Sequence, residues 1–224
     1  MTTAAVMRLS LVSQLRDDIV RGVFAPGERL TLAHLAERYE VSMMPVREAL
    51  NALQAEGIVT ILPRRGAVVT RFTPAEILEI YTIRATLERL ATQNAAPKLG
   101  ASALSQLRRL VNQMEGLGHD WARFSALNMD FHTTIYQAAG QVHLLAMIVS
   151  LRHRTHHYLR VHTEASGDAA AVSAGHRRLL RLLQEGQTEA AAAEMYQHVY
   201  EVGVNIARLI GGPDKPAQGA SPAP

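Results

Sequence analysis

Three histidines and an asparagine carry the first chemical signal. Asn128 and His132 stand four apart in NMDFH, so they share one face of a helix. His176 lies in AGHRRLLRLL and His198 in AEMYQHV, two further segments with helical spacing. Three imidazoles and an oxygen donor converging from separate helices would suit a borderline divalent metal. The plainer alternative is a set of unrelated core or surface histidines in a chain that has 10 of them. Spacing alone leaves both readings open. A run of cations, Arg152, His153, Arg154, His156 and His157, reads mostly as a solvated helix face, from which one member reaches inward.

The second signal is suited to nucleic acid. In VSMMPVREALNALQAEG, Val46, Ala49, Leu50 and Leu53 recur at helical spacing from Pro45, which reads as the first turn. Arg47, Asn51 and Gln54 are left on the opposite face, and Gly57 ends the helix. Just before it, LAHLAERY forms a shorter helix, with Glu40, Val41 and Ser42 as the link. Helix, tight turn and helix is the arrangement that sets a second helix into the major groove. Two β-rich runs, Ile58 to Leu62 and Ala67 to Thr70, then flank Pro63-Arg64-Arg65-Gly66, a hairpin with a basic tip. Together these make a winged helix-turn-helix.

Phosphate contacts supply affinity and base contacts supply specificity. Arg47 is the best candidate for either role. Ser42 can donate to a phosphate at the helix start, and Arg65 and Gly66, with Arg64 a weaker candidate, can enter a minor groove. Met43 and Met44 offer no donor to a base edge, which leaves apolar contact with thymine methyls. The competing reading for Arg47 is an ion pair with a neighbouring acid.

The elements that must position these residues are nearly all helical. Met1 to Met7 reads as a loose tail and Leu9 to Gly22 as a first helix. Thr73-Pro74-Ala75-Glu76 is a helix start, with threonine capping, proline in the first turn and glutamate bonding back. The domain boundary is placed there. The helix it opens runs towards Ala96. Ala101 to Leu117, Asp120 to Ala139, Val142 to Leu159, Ala170 to Glu185 and Thr188 to Ile210 each carry an apolar stripe, with short links between. The expected fold is mainly all-α: a winged helix-turn-helix over 1–73, an antiparallel helical bundle over 74–210, and a disordered tail over 211–224.

Composition sets broad limits. The chain has 224 residues, 48% of them hydrophobic, enough for one large domain or two modest ones. Cysteine is absent, which excludes disulfides and thiolate metal sites and fits a reducing cytosol. No apolar run approaches the ~20 residues of a membrane span, and no signal peptide is evident. A net charge of +3 is a weak pointer to a polyanion. The expected location is cytoplasmic.

Several motifs carry a family resemblance. PGERL (Pro26 to Leu30), LAERYEVS (Leu35 to Ser42), PVREAL (Pro45 to Leu50), L-x-x-EG (Leu53 to Gly57) and RRG (Arg64 to Gly66) resemble, in order and spacing, the GntR family of bacterial transcription regulators. From Pro74 onward the chain resembles the FCD effector domain of that family's FadR branch. The residues are I-R-x-x-L-E (Ile83 to Glu88), Asn128 with Phe131-His132, G-H-R (Gly175 to Arg177) and A-x-x-x-M-x-x-H (Ala191 to His198). The resemblance implies a dimeric repressor or activator that binds operator DNA and responds to a small carboxylate. It also implies a divalent metal, zinc above nickel or manganese, on Asn128, His132, His176 and His198. Asn128 stands where the family more often has Asp, a weaker donor. Asp130 is charged but points to the other side of the helix.

By the same resemblance Arg84 approaches the effector, while i,i+4 spacing offers an ion pair with Glu88 instead; Tyr81, one turn earlier, lines the same cavity or merely packs. A further departure is Met43, where the family often has arginine. Two other functions compete with the regulator. One is a histidine-ligated metal enzyme, which lacks any recognisable acid or base motif. The other is an architectural DNA binder with a silent effector pocket.

Overall fold

The computed structural model describes residues 3–63, 65–117, 119–166 and 169–212. Of the stretch 211–224, expected to be disordered, Gly211 is the last residue of the final helix; residues 213–224 and Arg64 of the wing tip lie outside the described residues.

The chain begins with α1 (Thr3–Val20), then β1 (Arg29–Leu30), α2 (Leu32–Arg38) and α3 (Met43–Ala55). The wing follows as β2 (Val59–Leu62) and β3 (Gly66–Val69). The strands form one antiparallel sheet in the order β1-β3-β2, with Leu62 opposite Gly66 and Leu30 opposite Ala67. The two-residue strand β1 was not legible in the sequence because it is too short to show alternation. It explains Gly66, whose φ is 89° and where an added Cβ would run into the Leu30 carbonyl. Val46, Ala49, Leu50 and Leu53 all point inward, into a core with Leu11, Leu15, Ile19 and Leu35.

Two boundaries in the head differ from expectation. The stretch Thr3 to Met7 is helical and part of α1 rather than a loose tail. Helix α3 starts at Met43 after Ser42, so Pro45 sits third rather than first. The difference costs little, because none of the first four N–H groups of a helix has an intrahelical partner.

The described elements of the second half are helices joined by short links: α4 (Pro74–Ala95), α5 (Ala101–Glu115), α6 (Trp121–Ala138), α7 (Val142–Ser166), α8 (Ala169–Gln184) and α9 (Thr188–Gly211). Helix α4 opens with a capping box. Thr73 Oγ1 accepts from Glu76 N at 3.3 Å, and Glu76 Oε2 accepts from Thr73 N at 2.7 Å. The bond from Thr73 N, and then one that the Thr73 hydroxyl donates to the same oxygen at 2.7 Å, hold the Glu76 carboxyl below its ordinary pKa. Helices α4 and α9 pack along each other, with α5, α6 and α8 completing the bundle. Its core includes Ile77, Tyr81, Phe124, Phe131, Ile135, Leu179 and Met195.

Helix α7 runs past Leu159, where its apolar stripe was expected to stop. Arg160 and Glu164 pair at 2.7 Å across one turn of the extension, and His162 and Thr163 are buried on its other side. This helix also touches the winged head. Tyr158 Oη accepts from Phe72 N at 2.8 Å, and the Arg154 guanidinium lies 5.5 Å from the Phe72 ring centre. Among the described residues no helix is long and apolar enough to cross a membrane.

Candidate metal and DNA sites

The bundle brings the four predicted donors together. One ligand nitrogen from each of His132, His176 and His198 falls within 4.8 Å of the others. Asn128 Oδ1 lies 2.8 Å from His176 Nε2. Each comes from a different turn of local logic. Asn128 and His132 are one helical turn apart on the inner face of α6. His176 comes from α8, and Gly175 beside it lets α9 approach, since a Cβ there would lie 2.5 Å from His198 Nδ1. Asp130 is exposed on the outer face of α6, away from the cluster.

The three rings are held in the uncharged form. Burial, then the nearby Arg152 guanidinium, pushes the His132 pKa well below its usual value. His176 is lowered first by burial and then by His198, and His198 falls to about 4 mainly by burial. All three are therefore neutral at pH 7, the protonation state a metal ligand needs. His176 Nδ1 is buried without a hydrogen-bond partner among the described residues. An under-satisfied buried nitrogen beside an amide oxygen and two further imidazoles is a set that a divalent ion completes. The residues present fit the group.

Beside the cluster is a small cavity of about 30 Å³, walled by Tyr81, Arg84, Asn128, Met129, His132, Arg152, His156, Leu159 and His198 with Val199 and Val202. Arg84 makes the i,i+4 ion pair with Glu88 and also faces the cavity. Its Nε donates to Glu88 Oε1 at 3.0 Å, its Nη1 donates to Thr155 Oγ1 at 3.1 Å, and it still lines the cavity. Tyr81 lies beneath it, ring centre 4.4 Å from the guanidinium carbon. Arg152 reaches Glu88 Oε2 from α7 at 3.4 Å, and its Nε is buried with no partner among the described residues. Two buried guanidiniums thus share one carboxylate. Burial alone would raise the Glu88 pKa, but Arg84 and Arg152 overcome it and hold it below the ordinary value.

The cationic run on α7 corrects the sequence reading. Arg152 and His157 are buried, and His156 lines the cavity with its Nε2 2.5 Å from Ser125 Oγ and its pKa pushed down to about 3, chiefly by burial. The helix is covered on several sides, by α4, α6 and α9 and by α1 of the head. Arg152 and His156 therefore belong to the site. A cation-rich stripe looks solvated until its covering helices are known.

At the other end, Arg47, Asn51, Arg65 and Gly66 line one cleft of about 560 Å³ between α3 and the wing, together with Arg29 and Thr31. Arg47 is exposed and has no ion pair among the described residues, so the neighbouring-acid alternative is not what the structure shows. Ser42 is exposed and makes no side-chain cap bond, which leaves its hydroxyl available. Met43 and Met44 project beside it, 56% and 67% exposed. Arg29 was missed in the sequence. Its Nε donates to the Arg65 carbonyl at 3.0 Å, tying β1 to the wing tip. Its position in PGERL was the available clue.

A helix-turn-helix with a wing, joined to a helical bundle, has the architecture of a DNA-binding transcriptional regulator. Comparison with known proteins agrees. Residues 8–69 match the model for bacterial regulatory proteins of the gntR family, and residues 79–201 match the FCD domain. The chain belongs to the GntR family of bacterial regulatory proteins and carries an FCD domain. It is 27% identical over 193 residues to the HTH-type transcriptional regulator YdhC of Bacillus subtilis, covering 85% of this chain and 86% of that one. It is 32% identical over 143 residues to the HTH-type transcriptional repressor GlaR of Escherichia coli, covering 59% and 63%. Escherichia coli McbR/YncC shares its fold with a TM-score of 0.77 at 24% identity, covering 90% of this chain and 95% of that one. The family and these relatives are regulators, not enzymes.

Proposed function

We propose that this chain is a ligand-responsive repressor of the FadR branch. In this reading residues 1–73 grip an operator, and residues 74–210 hold one divalent ion, zinc above nickel or manganese, with a small carboxylate beside it. Asn128, His132, His176 and His198 are the ion's ligands. The observation that carries this is the approach of three histidines from α6, α8 and α9 to within 4.8 Å of one another. The ion would supply a fixed positive charge and an open coordination position for the acid's oxygen.

This chain's own residues do the rest. Arg84 and Arg152 share one acidic partner, so the cavity wall has a spare positive charge for a carboxylate, which guanidinium forks recognise in bidentate fashion. Tyr81 supports the Arg84 plane from below. A cavity of about 30 Å³ has room for an ion and a few waters, so a metabolite must displace side chains on entry. Helix α7 carries part of that wall and also touches the head, which links the two events. The acid shifts DNA affinity only as far as it binds one arrangement better than the other.

On DNA, Arg47 and Ser42 enter or flank the major groove, Met43 and Met44 read apolar edges such as thymine methyls, and Arg65 with Gly66 and Arg64 approaches the minor groove. A homodimer places two such heads on a pseudo-palindrome. The test is elemental analysis of protein purified without chelator or a nickel column. One divalent ion per chain, lost in His176→Ala, supports the reading. Metal-free protein that takes up none of the three metals at micromolar concentration reduces the bundle to a silent pocket.

A further inference from the structure

Glu88 has no exposed surface, yet it is the joint of the cavity's polar network. Besides Arg84 and Arg152, its Oε2 accepts from the Tyr136 hydroxyl. The same hydroxyl meets His132 Nδ1 at 2.9 Å. Donor counting orders the protons along this chain. An ionised carboxylate only accepts, so Tyr136, with one proton, donates it to Glu88. Met195 Sδ, 3.4 Å from the same oxygen, is a weak acceptor and does not compete with a charged one. The phenol oxygen is then an acceptor towards His132. His132 Nδ1 must carry the ring hydrogen, which leaves Nε2 with its lone pair.

We propose that Glu88 and Tyr136 are positioning residues for the metal site. They hold His132 as its Nδ1–H tautomer with Nε2 free for the ion, while the same carboxylate holds Arg84 and Arg152 at the cavity wall. This rests on the metal reading above and goes beyond it by giving roles to two residues that touch neither ion nor acid. Outer partners of this kind orient a ligand histidine and raise its basicity. One carboxylate serving both the ligand histidine and the arginines also couples the two binding events. An acid that draws Arg84 or Arg152 away from Glu88 alters the hold on His132, and by linkage the ion alters the acid's affinity by the same factor.

The experiment uses the full chain labelled with ¹⁵N-histidine. Long-range ¹H–¹⁵N spectra of the metal-free protein report the His132 tautomer without any metal being needed. The wild type is expected to show Nδ1–H, and Tyr136→Phe, which removes the acceptor, a mixture or Nε2–H. Zinc titrated against a competing chelator should bind Tyr136→Phe about 10–100-fold more weakly. Glu88→Gln, which keeps the shape and removes the charge, should fall between the two. A variant that only loosens the core of the same helix, Ile135→Val, should keep the wild-type tautomer and zinc affinity. A wild-type Nε2–H tautomer, or a Tyr136→Phe protein indistinguishable from wild type in both readouts, overturns the proposal. If wild-type protein shows the expected tautomer but takes up no zinc, the relay stands as geometry, and both the metal reading and the positioning role fail.

Discussion

The arginines of the head and those of the bundle are put to opposite use. Arg47 and Arg65 are exposed, at the edge of an open cleft. Arg84 and Arg152 are 6% and 5% exposed and locked onto Glu88. An exposed guanidinium keeps its hydration until DNA arrives, and its contribution to affinity is strongly salt-dependent. A buried one has already lost its water and is held in place, so it discriminates among small anions and couples to its neighbours. In the proposed function, one residue type serves long-range attraction at one end and short-range selection at the other.

The largest expected effect breaks the buried half of that comparison. Glu88→Ala leaves two desolvated guanidiniums without their anion, and chemical denaturation should show a loss of about 3–5 kcal/mol. By contrast Arg16→Ala, which breaks the partly exposed pair with Glu56 at 2.6 Å, should cost about 0.2–1 kcal/mol. Next comes the exposed half. Arg47→Ala with Arg65→Ala should weaken DNA binding by about 1–3 kcal/mol for each arginine that reads a base, and lower the salt slope by about one for each phosphate left unneutralised. Thermal stability should stay within about 0.5 kcal/mol of wild type.

The pH dependence sharpens the contrast further. His198 and His157 lie near 4 and His156 near 3 in the folded chain, all pushed down chiefly by burial. Unfolded histidines titrate at about 6.5. The unfolded state therefore binds more protons as pH falls below about 6.5, and stability present above it is lost progressively towards pH 4. Thermal unfolding should show a lower midpoint at pH 5 than at pH 7.5. Smallest of all, Met43→Ala should leave the fold unchanged. It should cost under about 1 kcal/mol in DNA affinity, concentrated at thymines, and replacing those thymines with deoxyuridine should remove the difference.

The head was the more legible half because its signals are local. Val46, Ala49, Leu50 and Leu53 mark an inner face by spacing alone, and the basic turn between two β-rich runs marks the wing. Strand β1 escaped because two residues carry no period. In the bundle each helix was visible, but the assembly of the cavity was not. Asn128 and His132 could be paired by helical spacing, whereas the meeting of His132 with His176 and His198 depends on how α6, α8 and α9 cross. The Tyr136–Glu88 bond spans 48 positions of sequence, and no pattern along the chain foretells it. Resemblance filled that gap for the histidines and Arg84. It did not for Arg152 and His156, which looked like a wet stripe.

The central claim is that the buried half controls the exposed half. A duplex selected from a random pool by zinc-loaded protein provides the probe, and its affinity is measured with and without a small carboxylate found by thermal shift against the same protein. The account predicts at least a tenfold change in wild type and none in Arg84→Ala or His176→Ala chains that still bind the duplex. An acid that binds the bundle yet leaves wild-type DNA affinity unchanged would contradict it.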